Sequence, residues 1–451
     1  MTDQQWLKAI ATYNNDISEF KNGKGGAGEL SRVLEKQVKQ EPLRFASLIK
    51  QFPNDANPSY FNALLQGIAE TEINVDIEVV RNVCQHCHQL EQHPCGKSIS
   101  WLFQKLPELP WTVSDFEILI YYALKDPDPE QEFWRTKTPS GDVYYGGDIL
   151  MAGINSTRGS AVSSIARLMF ADKSRASYFS TALEQIVKDP STAVRLCAAS
   201  ALTAMLNYDR DIAVRLFLEL CKTDEELLGT KTVEHFLYYA LQTHFRELKP
   251  VLEQMISSEL LEVVITGAKQ ACLLSLVNDE ANDLAKRCLS GTENHRLSAA
   301  EIFVANLRSG YFREFCEKSL IQLFNDPDEK VRDLTSTCFR KFEGEELGNY
   351  INLIEAFVDS QAFKHKAYDL IYGLEKTTAK LPEVTLSVCE KFIENLAPDT
   401  GSTDIVSKLL IRIYSQSKKQ DEKKRCLDIV DRMAQCESNI SLYQALHQFE
   451  R

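Results

Sequence analysis

The chain has 451 residues, 44% hydrophobic and 25% charged, a balance that excludes wholesale disorder. At roughly 150 residues per domain it holds about three domains or one long repeat array. With 19 Gly and 14 Pro it is too poor in turn formers for an all-β protein, and a net charge of −13 repels phosphate backbones, so nucleic acid is not the expected partner.

The opening stretch MTDQQWLKAI is polar and unlike a secretory signal. No apolar run approaches the roughly 20 residues a membrane span needs; Phe116–Leu124 is typical of the longest. Twelve cysteines in such a chain imply a reducing compartment and free thiols. The expected location is the cytoplasm.

In chain order, helical periodicity comes first. Trp6, Ile10, Tyr13 and Ile17 share one helical face. Helices are expected near 3–20, 28–40, 42–50, 58–69, 76–90, 96–106 and 114–124, a less regular helical region spanning 1–124. A polar segment, KDPDPEQEFWRTKTPSGDVYYGG, then fills 125–147 with three Pro, three Gly and five acidic residues. Structureless segments of this length are uncommon inside compact domains and are often functional.

From 148 to 451 the chain repeats. Residues 178–205 align without a gap on 315–342, an offset of 137. Asp189-Pro190 falls on Asp326-Pro327, and Val194-Arg195 on Val331-Arg332. Leu183 meets Leu320, Ile186 meets Leu323, Val187 meets Phe324 and Leu202 meets Phe339. Each unit reads as helix, Asp-Pro turn, helix, because the residue before a Pro disfavours the α conformation. Arg158 and Arg296 open two further second helices, each followed by small residues and then a bulky one. The spacings Arg158–Arg195 and Arg296–Arg332 are 37 and 36 residues. Further second helices are expected near Val233, Gly267, His365 and Asp404. About eight helical pairs at this period make an all-α fold, an α-solenoid.

These units resemble HEAT repeats, in which an Asp at the interhelical turn and an Arg opening the second helix form a polar ladder. The Asp–Arg combination is complete at Asp189/Arg195 and Asp326/Arg332. Ala152 and Ser290 stand at the Asp positions that belong to Arg158 and Arg296, so the ladder is expected to be interrupted. A second resemblance covers most of 1–170. DQQWLKAIATYN (3–14), GELSRVLEKQVKQEPLRFASL (28–48), NPSYFNALLQGI (57–68), HPCGKSISWLF (93–103) and GGDILMAGINSTRGSAVSSIARLMF (146–170) look like the helical C-terminal region of large bacterial STAND/NACHT-type NTPases of antiphage defence. In such proteins an effector and an NTPase precede a repeat region that recognises a trigger or holds the NTPase inactive. This chain carries neither of those parts. The resemblance therefore implies the recognition region alone, as a fragment or a separate gene product, with an NTPase or effector in the same polypeptide or operon as partner.

No chemistry stands out. The P-loop pattern is absent, and Gly23–Gly28 fits GxGxxG without a preceding strand, reading as a helix–helix turn. Cys84, Cys87, His88, His93 and Cys95 form one metal-like cluster. Cys84, Cys87, His93 and Cys95 have the spacing of a weak zinc candidate; the alternative is a helix end with buried thiols. The remaining cysteines (197, 221, 272, 288, 316, 338, 389, 426 and 436) lie mostly on apolar helical faces. No nucleophile signature is present. The run Lys418–Arg425, KKQDEKKR, is a solvated helix face or a contact for an acidic surface.

The 125–147 segment is the expected protein contact. Trp134, Tyr144 and Tyr145 offer large contact area, and Asp126, Asp128, Glu130, Glu132 and Asp142 would select a basic partner. Equally, the aromatics would fold back over the junction. The chain thus reads as a non-catalytic sensor or autoinhibitory module that binds protein, with no cofactor. Alternatives are a HEAT-type scaffold bridging two proteins and a helical-repeat nucleic-acid enzyme such as a glycosylase, which the acidic charge disfavours.

Overall fold

The computed structural model describes residues 1–16, 25–53, 55–130, 133–137, 140–395 and 400–435. Ile17, Gly23, Lys24, Glu132 and Cys436, named above, lie outside them. The fold is all-α: 24 α-helices lie among the described residues. The only β pairing among them is one isolated bridge, Lys137 to Val143. The chain forms two compact units, Met1–Val251 and Leu252–Arg451.

The first unit starts with α1 (Asp3–Thr12), α2 (Ala27–Gln40), α3 (Pro42–Leu48), α4 (Pro58–Ala69) and α5 (Ile77–His88). It continues with α6 (Gly96–Lys105), α7 (Val113–Lys125), the one-and-a-half-turn α8 (Ile149–Ile154), α9 (Thr157–Ala171) and α10 (Ala176–Ile186). Then follow α11 (Thr192–Met205), α12 (Arg210–Leu220) and α13 (Lys231–Ala240); the boundary falls inside α14 (Phe245–Ile256). Alternate helices stack. One layer runs α2, α4, α6, α9, α11, α13, each packed on the next. The other runs α3, α5, α7, α10. The stacking passes from α6 and α7 to α9 and α10 while the chain travels through the 126–148 segment between them.

The second unit holds α15 (Leu261–Ser275), α16 (Asn282–Ser290), α17 (Glu293–Asn306), α18 (Arg313–Leu323) and α19 (Glu329–Ser336). It ends with α20 (Ile351–Val358), α21 (Gln361–Lys376), α22 (Pro382–Asn395), α23 (Thr400–Gln416) and α24 (Gln420–Gln435). Here α15, α17, α19, α21 and α23 form one layer, and α18, α20, α22 and α24 the other. The second helices expected near Val233, Gly267, His365 and Asp404 are α13, α15, α21 and α23.

The repeat has a local cause. α10 and α11 start at 176 and 192, and α18 and α19 start at 313 and 329, the same 137-residue offset as the sequence match. Leu183, Ile186, Val187 and Leu202 are all fully buried, as are their counterparts Leu320, Phe324 and Phe339. Burying each such side chain contributes about 1.5–3 kcal/mol. Ala161, Ala198 and Ala299 are also fully buried, where a larger side chain would hold neighbouring helices apart.

The polar ladder differs from the one expected. Asp189 does not give its carboxylate to Arg195, six residues on. It accepts a two-pronged bond from Arg158, of the unit before, at 2.9 and 3.2 Å, and its Oδ1 also accepts from the Ser191 amide at 2.8 Å. Arg195 turns to backbone oxygens, those of Asp189 and Lys222. The second unit repeats this: Arg296 donates to Asp326 at 2.6 and 3.2 Å, and Arg332 to the carbonyls of Asp326 and Pro327. Arg158 and Arg296 therefore need no Asp at 152 and 290. Stacking carries each arginine over the turn of the following unit.

Candidate functional site

Two candidate places emerge: the 126–148 segment and a groove beside it. The segment is anchored at its start. Asp126 Oδ1 accepts from the Asp128 amide at 2.9 Å. The Asp128 carboxylate accepts from the Thr157 amide and hydroxyl at 2.6 and 2.9 Å, capping α9. Arg158 donates to the carbonyls of Asp126 and Pro129 at 2.8 and 2.9 Å. Burial pushes the Asp126 carboxyl above its ordinary value, with the Asp128 amide opposing. Both aspartates are thus occupied within the fold. Glu130 is exposed, and Asp142 accepts from Ser140 at 3.1 Å.

The aromatics divide. Trp134 is 4% exposed, with the Arg135 guanidinium 4.5 Å above its ring. Arg135 in turn reaches Asp224 and Glu226 at 3.4 and 3.3 Å. Tyr144 and Tyr145 stand 41% and 45% exposed.

The Cys/His cluster sits where α5 turns into α6. Cys84, Cys87 and Cys95 are buried. Burial pushes the Cys84 thiol up; a hydrogen bond with Cys95 and then burial do the same for Cys87. His93 stacks on His88, ring centroids 4.8 Å apart, and its Nδ1 bonds to the His88 carbonyl. His88 Nδ1 faces the Tyr122 hydroxyl at 3.1 Å. These rings therefore already have partners. Among the described residues no group of three or more His, Cys, Asp or Glu is arranged to hold a metal ion. Eight of the other cysteines named above are described; all but the half-buried Cys221 are buried.

The groove was not anticipated from the sequence. It has a volume of about 720 Å³ and lies on the face shared by α4, α6 and the start of α9. Asn62, Gln66 and Glu70 are four residues apart, so α4 turns all three one way. α6 does the same with Lys97, Trp101 and Gln104. Ile154, Asn155 and Ser160 close one end. Lys97 Nζ donates to the Asn155 carbonyl at 2.6 Å, and Lys105 lies 4.6 Å over the Trp101 ring. Glu70 pairs with Lys39 at 2.6 Å, which holds its carboxyl below the ordinary value. The amides of Asn62 and Gln104 have no partner among the described residues, so each offers donors and an acceptor to a visitor.

α8 sets where the groove stops. It packs on α9 and α11. A Cβ on Gly153 would lie 2.5 Å from the Ala193 carbonyl oxygen and 2.7 Å from Cys197 Sγ, so only glycine permits this approach. With α8 in place α11 is buried almost throughout, whereas α4 and α6 keep their polar face open.

No family model matches the chain, and no curated protein matches it. Among solved structures it is similar to an engineered protein at 12% identity and TM-score 0.36, over 97% of this chain and 100% of that one. It is also similar to UNC-45 from Drosophila melanogaster at 13% identity and TM-score 0.30, over 99% of this chain and 73% of that one. Among the described residues no helix is long and apolar enough to cross a membrane.

Proposed function

We propose that the chain is a non-catalytic protein-recognition module, and that the groove over α4 and α6 takes an extended segment of a partner polypeptide. The open side-chain amides beside Trp101 carry this reading. An extended chain offers one N–H and one C=O per residue, which Asn62 and Gln104 can meet from neighbouring helices. Helices pack about 8–10 Å apart and a strand rises about 3.3 Å per residue, so successive helices meet roughly every third residue. Trp101 supplies the apolar anchor such contacts need.

The finer reading is the sensor or autoinhibitory region of a STAND-like defence NTPase. It rests on the sequence resemblance, and three of the resembling segments (57–68, 93–103 and 146–170) supply Asn62, Trp101 and Asn155 to the groove. A HEAT-type scaffold joining two proteins would use the same surface. Partner contact would act by binding one state of an NTPase more tightly than the other.

Selection of peptides from a random displayed library on the full chain tests the groove. Enriched peptides should bind the Trp101→Ala, Gln104→Ala variant at least tenfold more weakly while its melting temperature stays put. Peptides that bind this variant as well as the native chain would refute the groove. Co-purification with an NTPase-bearing polypeptide would favour the STAND reading over the scaffold.

A further inference from the structure

The basic run Lys418–Arg425 is not uniform. Arg425 is engaged with Glu390 and Glu383, and Lys423 covers the Tyr414 ring at 5.2 Å. Its first two lysines instead border a cavity of about 300 Å³, where the turn after α21 meets the turn between α23 and α24.

Four cationic side chains, Lys380, Arg412, Lys418 and Lys419, line this cavity with one carboxylate, Glu422. That carboxylate is taken. Glu422 accepts from the Ser417 hydroxyl and pairs with Lys419 at 2.9 Å. Lys380 and Lys418 have no carboxylate partner among the described residues.

Arg412 is held without a carboxylate. Its Nη1 donates to the carbonyls of Glu375 and Thr377 at 3.2 and 3.3 Å, and its Nη2 to that of Leu374 at 2.6 Å. A guanidinium has five N–H donors, so two remain. Burial pulls its pKa below the ordinary value, with the Glu375 carboxylate opposing. The N-terminal turns of α22 and α24, at Pro382 and Lys419, also border the cavity and add partial positive charge.

We propose that this cavity binds a phosphomonoester carried on a side chain of a partner protein. Three cations without a carboxylate suit a dianion better than a single carboxylate. At about 300 Å³ the cavity has room for a phosphoryl group together with the side chain that carries it. No aromatic side chain lines it, so it has nothing on which to stack a nucleotide base. The net charge of −13 disfavours a polyanion. The site lies in the second unit, apart from the groove, and stands or falls independently of it.

The test uses the full chain immobilised on a surface. The probes are a degenerate pool of short peptides with a central phosphoserine, the same pool unphosphorylated, AMP and inorganic phosphate. The phosphorylated pool should be retained and the other peptides not, and a Lys380→Glu, Lys418→Glu variant should lose about tenfold or more in affinity. Both lysines are exposed, so the variant should keep its melting temperature; Lys380→Gln, Lys418→Gln serves if it does not. Equal retention of both pools, or phosphopeptide binding that neither variant weakens, would overturn the proposal. So would AMP or inorganic phosphate binding as tightly as the phosphopeptides, since the site would then read a free anion.

Discussion

The guanidinium of Arg158 and the carboxylate of Asp189, 31 residues apart, meet face to face at 2.9 and 3.2 Å with both side chains less than a tenth exposed. Arg158 also holds the carbonyls of Asp126 and Pro129. One side chain thus joins the start of α9, the turn before α11 and the entry to the 126–148 segment. In the second unit Arg296 bonds Asp326 in the same fork and adds Asp328.

Removing one member of a buried pair strands the other's charge, at a cost of about 3–5 kcal/mol. Asp189→Ala should therefore destabilise strongly in chemical denaturation, and Asp326→Ala less, because Arg296 keeps Asp328 as a partner. Replacing both partners, as in Arg158→Met with Asp189→Leu, should cost much less than either single change implies. A double-mutant cycle with no coupling would show the pair is incidental.

Leu183 and Leu320 hold equivalent places in α10 and α18 and are fully buried. Each Leu→Ala change should cost about 2–5 kcal/mol. They lie in different compact units, so the two costs should add to within about 0.5 kcal/mol. Equilibrium unfolding of the singles and the double measures this, and large non-additivity would argue against stacking in which each helix couples mainly to its neighbours.

The stacking was legible because the sequence writes it locally. Asp-Pro marks a turn, Val-Arg marks the next helix, and their common offset places α10 and α11 on α18 and α19. The partners in the ladder were not legible. Proximity in sequence suggested Asp189 with Arg195, but those two sit on one turn, and the stack brings Arg158 to the carboxylate instead. The groove was hidden for a related reason. Asn62, Gln66 and Gln104 look like any solvated helix face until α4 and α6 lie side by side. Nor is α8, at six residues, long enough to show a period, though its Gly153 is what lets it seat on α11.

Burial lowers the pKa of His86 and His88, with Lys50 and His93 adding repulsion to each in turn. The unfolded chain, with histidines near 6.5, therefore takes up protons before the folded one does. The stability from keeping these rings neutral is complete above about 6.5 and is lost as pH falls below it toward the folded-state values. Urea titrations at pH 7.5, 6.5 and 5.5 should show stability falling across this window, and less so in His88→Gln. Identical slopes in both proteins would remove His88 from the account.

Trp134 and the Tyr144–Tyr145 pair belong to one segment but face different surroundings, and the difference is measurable. Trp134 is buried beneath Arg135, its indole N–H without a hydrogen-bond partner among the described residues. Trp134→Ala should thus behave as a core truncation and cost about 3–5 kcal/mol if the segment is cooperative with the first unit. If it opens separately, the loss should appear instead as faster proteolysis between α7 and α8. The two tyrosines are exposed, so Tyr144→Ala with Tyr145→Ala should leave the melting temperature nearly unchanged. Should the tyrosine variant also lose partner binding, the segment contributes contact area beside the groove. Should Trp134→Ala change neither stability nor proteolysis, the buried indole does not anchor the segment, and its hold on the fold rests on polar contacts such as those of Asp128, Arg135 and Arg158.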